Sequence, residues 1–478
     1  MKLAEYISYD GLGLAELIRS QEISREEALK CAVDMAELLN PDINTILEIF
    51  PEPLAGTDDA DAPFSGVPFL IKDLALHARG VLNEMGSRLA QGIRTSHDTD
   101  LMRRFRQAGL RTIGRAATPE FGYCPTTEPV INGPSRNPWD LTKMPGGSSG
   151  ATAASVAAGI VPLAHANDGG GSIRIPASCC GLVGLKPSRG RVPNGPDSAE
   201  PLSGLAVEFA VTRTVRDTAS LLDAVKGPGI GDPFEIAIPA EAYANSMLKD
   251  PGSLKIAWMS EPWSGTTVDD EVKHTIPKTA RLCEELGHQI IETRPELSWE
   301  HFFEATVTLW TANLAVFIDY AALLTGRPVD EDHLEATTLA CYHDGKQVKA
   351  ETLLKAQATA NQVRRGIGRF FQEYDILLTP TVAQPPLPLG VINANEAGLG
   401  AKEWSRRTFE FCPFTPLFNM TGQPAISLPL HRTTNKLPLG VQFVGRYGAE
   451  ATLLQLARQL EQAVPWPLTA PLLTELSA

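Results

Sequence analysis

Two glycine-rich segments of this sequence carry hydroxyl groups in a pattern that suits nucleophilic catalysis. The first is residues 145–150 (PGGSSG), and the second is residues 168–176 (DGGGSIRIP). Because glycine tolerates positive φ and leaves no side chain in the way, backbone N–H groups in such loops can turn toward a ligand. Several N–H groups followed by a hydroxyl are what an oxyanion hole beside a nucleophile requires. A single glycine-rich loop is more often only a tight turn, so the case depends on the two segments together.

Other motifs explain these residues less well. Residues 146–150 match the G-x-S-x-G nucleophile elbow, but no strand precedes them, as the elbow requires. A phosphate-binding loop needs Lys-Ser or Lys-Thr after its glycines, and neither follows here. Residues 246–249 match the S-x-x-K pattern of penicillin-binding enzymes, but the companion motifs are missing, which favours a chance match. His165 lies in an apolar segment and is predicted to be a hydrogen-bonded core histidine.

The segments around these loops predict alternating helices and strands. Residues 24–27 form a capping box, and apolar residues at helical spacing follow it. Residues 67–71 are a continuous apolar run that stops at Lys72, which is typical of a strand buried on both faces. A helix is expected over 98–108, and the alanine-rich residues 151–158 predict a tightly packed core helix. This alternation indicates an α/β sheet with crossover helices.

The whole chain, residues 1–478, is predicted to form one domain that contains an insertion. Residues 228–374 are richer in long amphipathic helices, which are expected over 270–286 and 345–374. The C-terminal part returns to short apolar strands, predicted at 376–378, 426–428 and 441–444. Residues 64–227 hold both glycine-rich segments and are therefore predicted to be the core that carries the chemistry. The more helical insertion is expected on the substrate side.

Together, the two segments resemble the signature sequence of the amidase signature family of serine hydrolases. Residues 146–150, the alanine-rich helix, residues 168–176 and residues 181–188 carry this resemblance. Further stretches are similar to other elements of the family: 66–73, 213–217, 375–381 and 418–429. The resemblance spans most of the chain and is weakest over the helical insertion. It implies the amidase signature fold, an α/β fold in which helices flank both faces of a large, mixed, twisted central sheet.

The resemblance implies a catalytic triad of Lys72, Ser148 and Ser172. Ser172 is the expected nucleophile, Ser148 is expected to relay its proton from a cis peptide bond after Gly147, and Lys72 is the expected base. Because a lysine in water has a pKa of about 10.4, burial has to lower this pKa for that role. The position of Lys72 at the end of an apolar run fits this demand. From the residues alone, a solvated Lys72 paired with Asp73 remains an alternative.

The resemblance also assigns the remaining groups of the site. The backbone N–H groups of Gly169, Gly170 and Gly171, with that of Ser172, are expected to hold the oxyanion. Gly169 departs from the family pattern, because many members have a hydroxyl residue at this position.

Asp168 and Arg174 are expected to fix the loop that carries these donors (residues 169–172, the oxyanion loop), although a purely structural ion pair remains an alternative. Three segments are candidate walls of the substrate pocket: 124–128, 193–196 and 385–404. The last segment contains proline, glycine and turn signals, as a mobile lid would, and an ordinary surface loop has the same composition.

The implied activity is hydrolysis of an amide-type C–N bond, other than a peptide bond, through an acyl-enzyme on Ser172. Residues 126–129, 137–139 and 426–429 look most like the family branch that opens cyclic dimers of 6-aminohexanoate, which favours a small, fairly apolar amide. Carbamates (urethanes) and esters are alternatives, because their cleavage passes through the same kind of oxyanion. An amidotransferase subunit that acts with partner proteins is a further alternative. A binding protein without activity is disfavoured by the three intact triad residues.

The composition limits the expected partners and location. A net charge of −14 argues against nucleic acid as a main partner. The acidic residue near the start and the lack of a long uncharged apolar run predict a cytoplasmic protein without a membrane span. The 7 cysteines are scattered and fit reduced thiols better than disulfides or a zinc site. We expect no metal or cofactor, a small-molecule amide or carbamate as the partner, and a monomer or homodimer.

Overall fold

One sheet of 11 strands runs through the protein, whose computed structural model describes residues 1–472. In chain order the strands are β1 (Ile46–Leu54), β2 (Pro68–Lys72), β3 (Arg111–Ala116), β4 (Leu163–Asp168), β5 (Val183–Lys186), β6 (Val207–Thr212), β7 (Lys255–Trp258), β8 (Gln289–Glu292), β9 (Ile376–Pro380), β10 (Ala425–Arg432) and β11 (Pro438–Gly445). In space their order is β1-β3-β2-β4-β6-β5-β10-β11-β9-β7-β8. Strand β2 is parallel to β3 and β4, whereas β4, β6, β5, β10, β11 and β9 pair antiparallel in succession. The predicted α/β fold with a large mixed sheet is confirmed.

Helices precede β1, follow β11 and occupy most of the connections between the strands. They are α1 (Leu3–Tyr6), α2 (Gly11–Arg19), α3 (Arg25–Ile43), α4 (Asp100–Gln107), α5 (Gly150–Ala157), α6 (Arg174–Cys180), α7 (Pro201–Gly204), α8 (Val215–Val225), α9 (Tyr243–Ser246), α10 (Asp270–Lys273), α11 (Thr275–Glu285), α12 (Trp299–Thr325), α13 (Ala336–Lys346), α14 (Ala350–Glu373), α15 (Ala401–Phe411), α16 (Pro416–Thr421) and α17 (Glu450–Ala463), with a 3₁₀ turn at Glu120–Gly122. The predicted capping box begins α3, because the Ser24 hydroxyl accepts from the Glu27 N–H while the Glu27 carboxylate accepts from the Ser24 N–H.

Strand β2 lies inside the sheet and is buried along its whole length. Its neighbours β3 and β4 cover both edges, and Phe69 packs on Phe105 of α4 with ring centroids 4.9 Å apart. The apolar run from 67 to 71 is therefore a strand, as predicted. Because this strand ends at Lys72, it delivers a lysine side chain into the interior of the protein.

Some element boundaries differ from those that the sequence predicts. Prolines and aspartates predict a loop over residues 51–63, but β1 continues to Leu54. This strand lies at the edge of the sheet, where proline is tolerated because one side needs no ladder hydrogen bond. The helix predicted over 345–374 is two helices, since α13 ends at Lys346 and α14 begins at Ala350.

The segment 228–374 contributes two strands, β7 and β8, to one end of the sheet in addition to its helices. Its longest helix, α12, is long and apolar enough to cross a membrane by length and composition, with a mean hydropathy of 1.5. Helix α12 contacts both α13 and α14. Because a core helix has the same composition, this single helix is weak evidence for a membrane span.

Helix α13 approaches α12 through Gly345, where an added Cβ would overlap the backbone carbonyl of Thr311. We expect Gly345→Ala to lower the free energy of unfolding by about 1–3 kcal/mol, because the two helices have to separate. Gly368→Ala in α14 is the matched control, since nothing lies within 4 Å of its added Cβ. This control should raise the free energy of unfolding by about 0.5–1 kcal/mol. Urea denaturation measures both changes, and equal stability of the two variants would contradict the close packing of α12 on α13.

Candidate active site

The ammonium group of Lys72 is enclosed by three side-chain oxygens. Its Nζ donates to Ser148 Oγ at 2.7 Å, to Ser149 Oγ at 3.1 Å and to Asn167 Oδ1 at 2.6 Å. The side chain is fully buried, and the acceptors come from the first glycine-rich loop and from β4. Two hydroxyl groups and one amide therefore hold a lysine that is shielded from bulk solvent.

Burial lowers the pKa of Lys72 to about 7, although the negative charges of Glu208 and Asp168 oppose this change. A large fraction of the amine is therefore neutral near pH 7 and can accept a proton. The alternative of a solvated lysine paired with Asp73 is wrong, because Asp73 pairs with Arg115 instead, at 3.2 Å.

His165 supports the backbone of the lysine strand. Its Nδ1 accepts the N–H of Lys72 at 3.3 Å, and its Nε2 lies 3.0 Å from Glu208 Oε2. Since a backbone N–H can only donate, Nδ1 is the acceptor and Nε2 carries the proton that Glu208 accepts. Burial lowers the pKa of His165, although Glu208 opposes this effect. The prediction of a satisfied core histidine is confirmed.

The first glycine-rich loop holds Ser148 in the interior. The peptide bond between Gly147 and Ser148 is cis, and Ser148 is only 2% exposed. An added Cβ on Gly147 would lie 2.7 Å from backbone atoms of Thr126. Glycine is required at 147 because the chain passes so close to this neighbouring backbone.

Ser172 lies on the loop that joins β4 to α6 and is half-buried. Its hydroxyl makes no hydrogen bond to any described residue, including Ser148. The first glycine-rich loop contacts both elements that bound the second one: Ser149 Oγ donates to the carbonyl of Asn167 in β4 at 3.3 Å, and a Cβ on Gly146 would lie 2.9 Å from Pro176 Cα in α6. The structure thus joins Lys72 to Ser148 directly and brings Ser172 to the same region without a hydrogen bond.

The three glycines of the second loop have different surroundings. The N–H of Gly171 donates to Asp168 Oδ1 at 2.7 Å, so this group is occupied and does not face an oxyanion, contrary to the expectation from the sequence. The N–H groups of Gly169, Gly170 and Ser172 have no partner within residues 1–472. An added Cβ would lie 2.7 Å from Leu202 Cδ1 at Gly169, and 2.7 Å from Trp310 Cζ2 at Gly170.

Asp168 and Arg174 form a fully buried ion pair behind the oxyanion loop. Arg174 donates through Nε and Nη2 to the two oxygens of Asp168, at 2.9 Å each. Three residues from the C-terminal part accept further bonds from Arg174: Thr415 O at 2.9 Å, Asn419 Oδ1 at 2.6 Å and Gln442 Oε1 at 2.7 Å. Burial raises the pKa of Asp168, but the charge and hydrogen bonds of Arg174 outweigh it and lower this pKa to about 2.

An aromatic group forms one wall beside the oxyanion loop. Trp310 of α12 packs on Gly170, and its ring centroid lies 5.5 Å from that of Tyr123 and 5.4 Å from that of Phe409. Trp310 and Tyr123 are partly exposed and Phe409 is buried, so aromatic rings line this side of the loop. The carbonyl of Leu387, in the candidate pocket segment 385–404, accepts the N–H of Met144 at 2.9 Å, which ties that segment to the first glycine-rich loop.

Several residues of this site are not predicted by the sequence. Ser149 and Asn167 bind Lys72. The only sequence signal for either residue is that it lies next to a predicted site residue. Asn419 lies in a stretch that resembles the family, although no role follows from that resemblance. Trp310 lies within an apolar helix where a tryptophan is unremarkable, so only the fold shows its contact with Gly170.

Comparisons with known proteins agree on one family. The amidase family model matches residues 27–454. The 6-aminohexanoate-cyclic-dimer hydrolase of Paenarthrobacter ureafaciens is 36% identical over 473 residues, which cover 97% of this chain and 96% of that protein. A solved structure of a 6-aminohexanoate cyclic dimer hydrolase has a TM-score of 0.91 at 35% identity and covers 98% of this chain and 99% of its own. A bacterial aryl acylamidase has the same fold, with a TM-score of 0.84 at 24% identity and 96% of each chain covered.

The ion pair between Asp168 and Arg174 should make a pH-dependent contribution to the free energy of unfolding. Asp168→Asn should lower the free energy of unfolding at pH 7 by about 3–5 kcal/mol, because Arg174 is left buried without a counter-charge. Since the folded-state pKa of Asp168 is lowered to about 2, its contribution is complete above about pH 4 and is lost between pH 4 and 2. The difference in free energy of unfolding between wild type and Asp168→Asn should therefore decrease as the pH falls from about 4 to about 2.

Denaturant unfolding of wild type and variant from pH 7 to pH 2 measures this effect. The control is the Asp168→Asn, Arg174→Met double variant, which removes both charges and should recover part of the lost stability at pH 7. A pH-independent difference between wild type and Asp168→Asn would contradict the lowered pKa.

Proposed function

This chain belongs to the amidase family, and we propose that it hydrolyses amides through an acyl-enzyme intermediate on Ser172. As a family member it is an enzyme that acts on carbon–nitrogen bonds other than peptide bonds. The hydrogen bond of 2.7 Å between the buried Lys72 Nζ and Ser148 Oγ is the observation that carries the proposal. Through this bond Lys72, a base whose pKa lies near 7, can take a proton from Ser148, which in turn can take the proton of Ser172.

In the proposed mechanism, neutral Lys72 takes the proton of Ser148 while Ser148 takes the proton of Ser172. The Ser172 oxygen then forms a bond to the substrate carbonyl carbon, and the carbonyl oxygen becomes an oxyanion. When the C–N bond breaks, the leaving amine receives the proton back along the same path. Water then repeats the sequence on the acyl-enzyme and releases the acid. Rotation of the Ser172 hydroxyl toward Ser148 is required, and catalytic hydrogen bonds often form only when substrate is bound.

We assign the oxyanion to the N–H groups of Gly170 and Ser172, with Gly169 beside them. Gly171 has a different role, because its N–H binds Asp168 and thereby fixes the loop. Donors that are held in place before the reaction stabilise the developing charge strongly, and losing one costs about 10²–10³ in rate in a well-studied protease. The buried Asp168–Arg174 pair acts as the positioning pair for this loop.

We infer a small, fairly apolar amide as the substrate class, and cyclic dimers of ω-amino acids belong to this class. The aromatic wall of Trp310, Tyr123 and Phe409 beside Gly170 supports an apolar substrate. The relative that is 36% identical over most of both chains is a hydrolase of the 6-aminohexanoate cyclic dimer. Carbamates and esters remain in the proposed range, because they pass through the same tetrahedral oxyanion.

Hydrolysis of a substrate panel tests this proposal. The panel contains a cyclic lactam dimer, a p-nitroanilide, a primary amide and an aryl carbamate. Wild type alone, without partner proteins, should hydrolyse at least one of them. Ser172→Ala should lower kcat/KM at least about a thousandfold, because the nucleophile is lost. Ser148→Ala and Lys72→Met should have losses of similar size, because the three residues act as one unit.

Ser246→Ala is the matched control, since it removes another buried serine hydroxyl, in the S-x-x-K segment, and should leave kcat/KM unchanged. Mass spectrometry of the stalled reaction should place the acyl group on Ser172. Equal activity of Ser172→Ala and wild type would overturn the nucleophile assignment. Activity that requires a second protein would instead favour an amidotransferase subunit.

The pKa of Lys72 predicts the pH dependence of the reaction. Because the neutral amine is the base, kcat/KM should rise with pH and level off above about pH 7. The negative charge of Glu208 raises the pKa of Lys72, so Glu208→Gln should move this rise to lower pH. Glu292→Gln, which removes an exposed charge on β8, should leave the profile unchanged. A profile that Glu208→Gln does not shift would show that the rise reports another group.

A further inference from the structure

Three side chains that could bind a metal ion lie close together, two from the β2–α4 connection and one from the loop after β5. His77 follows β2, His97 precedes α4, and Asp197 lies between β5 and α7. Asp197 Oδ2 lies 3.2 Å from His77 Nδ1 and 2.9 Å from His97 Nε2. The three ligand atoms all lie within 4.8 Å of one another. We propose that His77, His97 and Asp197 bind a divalent transition metal ion of the zinc type.

Two of the three separations between these atoms fit a tetrahedral zinc site, and the third, between His77 Nδ1 and His97 Nε2, is at most 4.8 Å. Zinc binds histidine nitrogen and carboxylate oxygen at about 2.0–2.2 Å, so neighbouring ligands of a tetrahedral ion lie about 3.3 Å apart. The two nitrogen–oxygen distances of 2.9 and 3.2 Å are within a few tenths of an ångström of this value. Two imidazoles and one carboxylate are also a ligand set that zinc prefers, whereas Mg²⁺ and Ca²⁺ prefer oxygen alone. All three side chains are partly exposed, which leaves the fourth position to water.

Contacts around the ligands hold the loops in place. Ser96 Oγ lies 3.1 Å from His97 Nδ1, so the ring of His97 is oriented through the nitrogen that does not face the site. The N–H of Thr99 donates to the carbonyl of His77 at 3.0 Å, and the N–H of Asp100 donates to the carbonyl of Gly195 at 2.9 Å. The backbone therefore fixes the separation of the loops without help from an ion. A metal would find its ligands already assembled.

The sequence predicted no metal site because these ligands follow no local spacing pattern and lie far apart in the chain. A bound ion would connect the two ends of the β2–α4 connection to the loop after β5. That loop leads into α7, whose Leu202 contacts the oxyanion loop at Gly169. Metal binding should therefore restrain a segment that borders the active site. The binding itself does not depend on the proposed function.

Calorimetric titration of the chelator-treated protein with ZnCl₂ tests the proposal. Wild type should bind one Zn²⁺ per chain and should not bind Mg²⁺ at the same concentration. His97→Ala and Asp197→Asn should each weaken Zn²⁺ binding at least about tenfold, because two ligands hold the ion less tightly than three. Zn²⁺ should also raise the Tm of wild type and leave the Tm of both variants unchanged.

His333→Ala is the matched control, because His333 forms a surface pair with Asp330, at 2.7 Å, with exposure similar to that of His77 and Asp197. It should keep both Zn²⁺ affinity and the rise in Tm. Unfolding curves in chelator check that the variants remain folded. Absence of saturable binding by wild type, or equal affinity of wild type, His97→Ala and Asp197→Asn, would show that the three residues form only a hydrogen-bonded cluster.

Discussion

The buried amine of Lys72 is the constraint on which the arrangement of this site depends. A charged or polar group that has lost water is stable only where the protein supplies partners, and Ser148, Ser149 and Asn167 supply three acceptors. These acceptors tie the first glycine-rich loop to β4, so the lysine also fixes the position of the serine that it would deprotonate. Burial stabilises the neutral amine at the same time. The burial of Lys72 thus accounts both for the geometry of the first glycine-rich loop and for a base that works near neutral pH.

A second buried group, the Asp168–Arg174 pair, explains why distant parts of the chain belong to one structural unit. Arg174 lies at the start of α6, yet its remaining hydrogen bonds go to residues of α16, β11 and the segment before α16. Leaving any of these donors unpaired in the interior would cost about 1–3 kcal/mol. Strand β11 and the α16 region therefore help to position the oxyanion loop.

The sequence predicted those features that depend on local pattern and missed those that depend on long-range contact. The apolar run before Lys72 and the capping box at Ser24 were predicted correctly, because burial and helix capping act over a few residues. The role of Asn167 as an acceptor for Lys72 had no pattern of its own. The long helix α12 was also not predicted, since it is apolar on nearly all sides and lacks amphipathic periodicity. Its contact with Gly170 through Trp310 follows only from the tertiary structure.

The oxyanion loop needs its glycines for different reasons, and these reasons connect it to α12. Gly170 makes room for Trp310, whereas Gly169 makes room for Leu202. Leu202 and Ser203 both have positive φ, 53° and 56°, which is unfavourable for residues with side chains, so the surrounding structure has to hold them. Asn313 of α12 donates to Ser203 Oγ at 2.8 Å and provides such a restraint. A larger residue at 169 would displace Leu202 and break this arrangement. Gly169 is thus coupled to a turn that α12 holds in place.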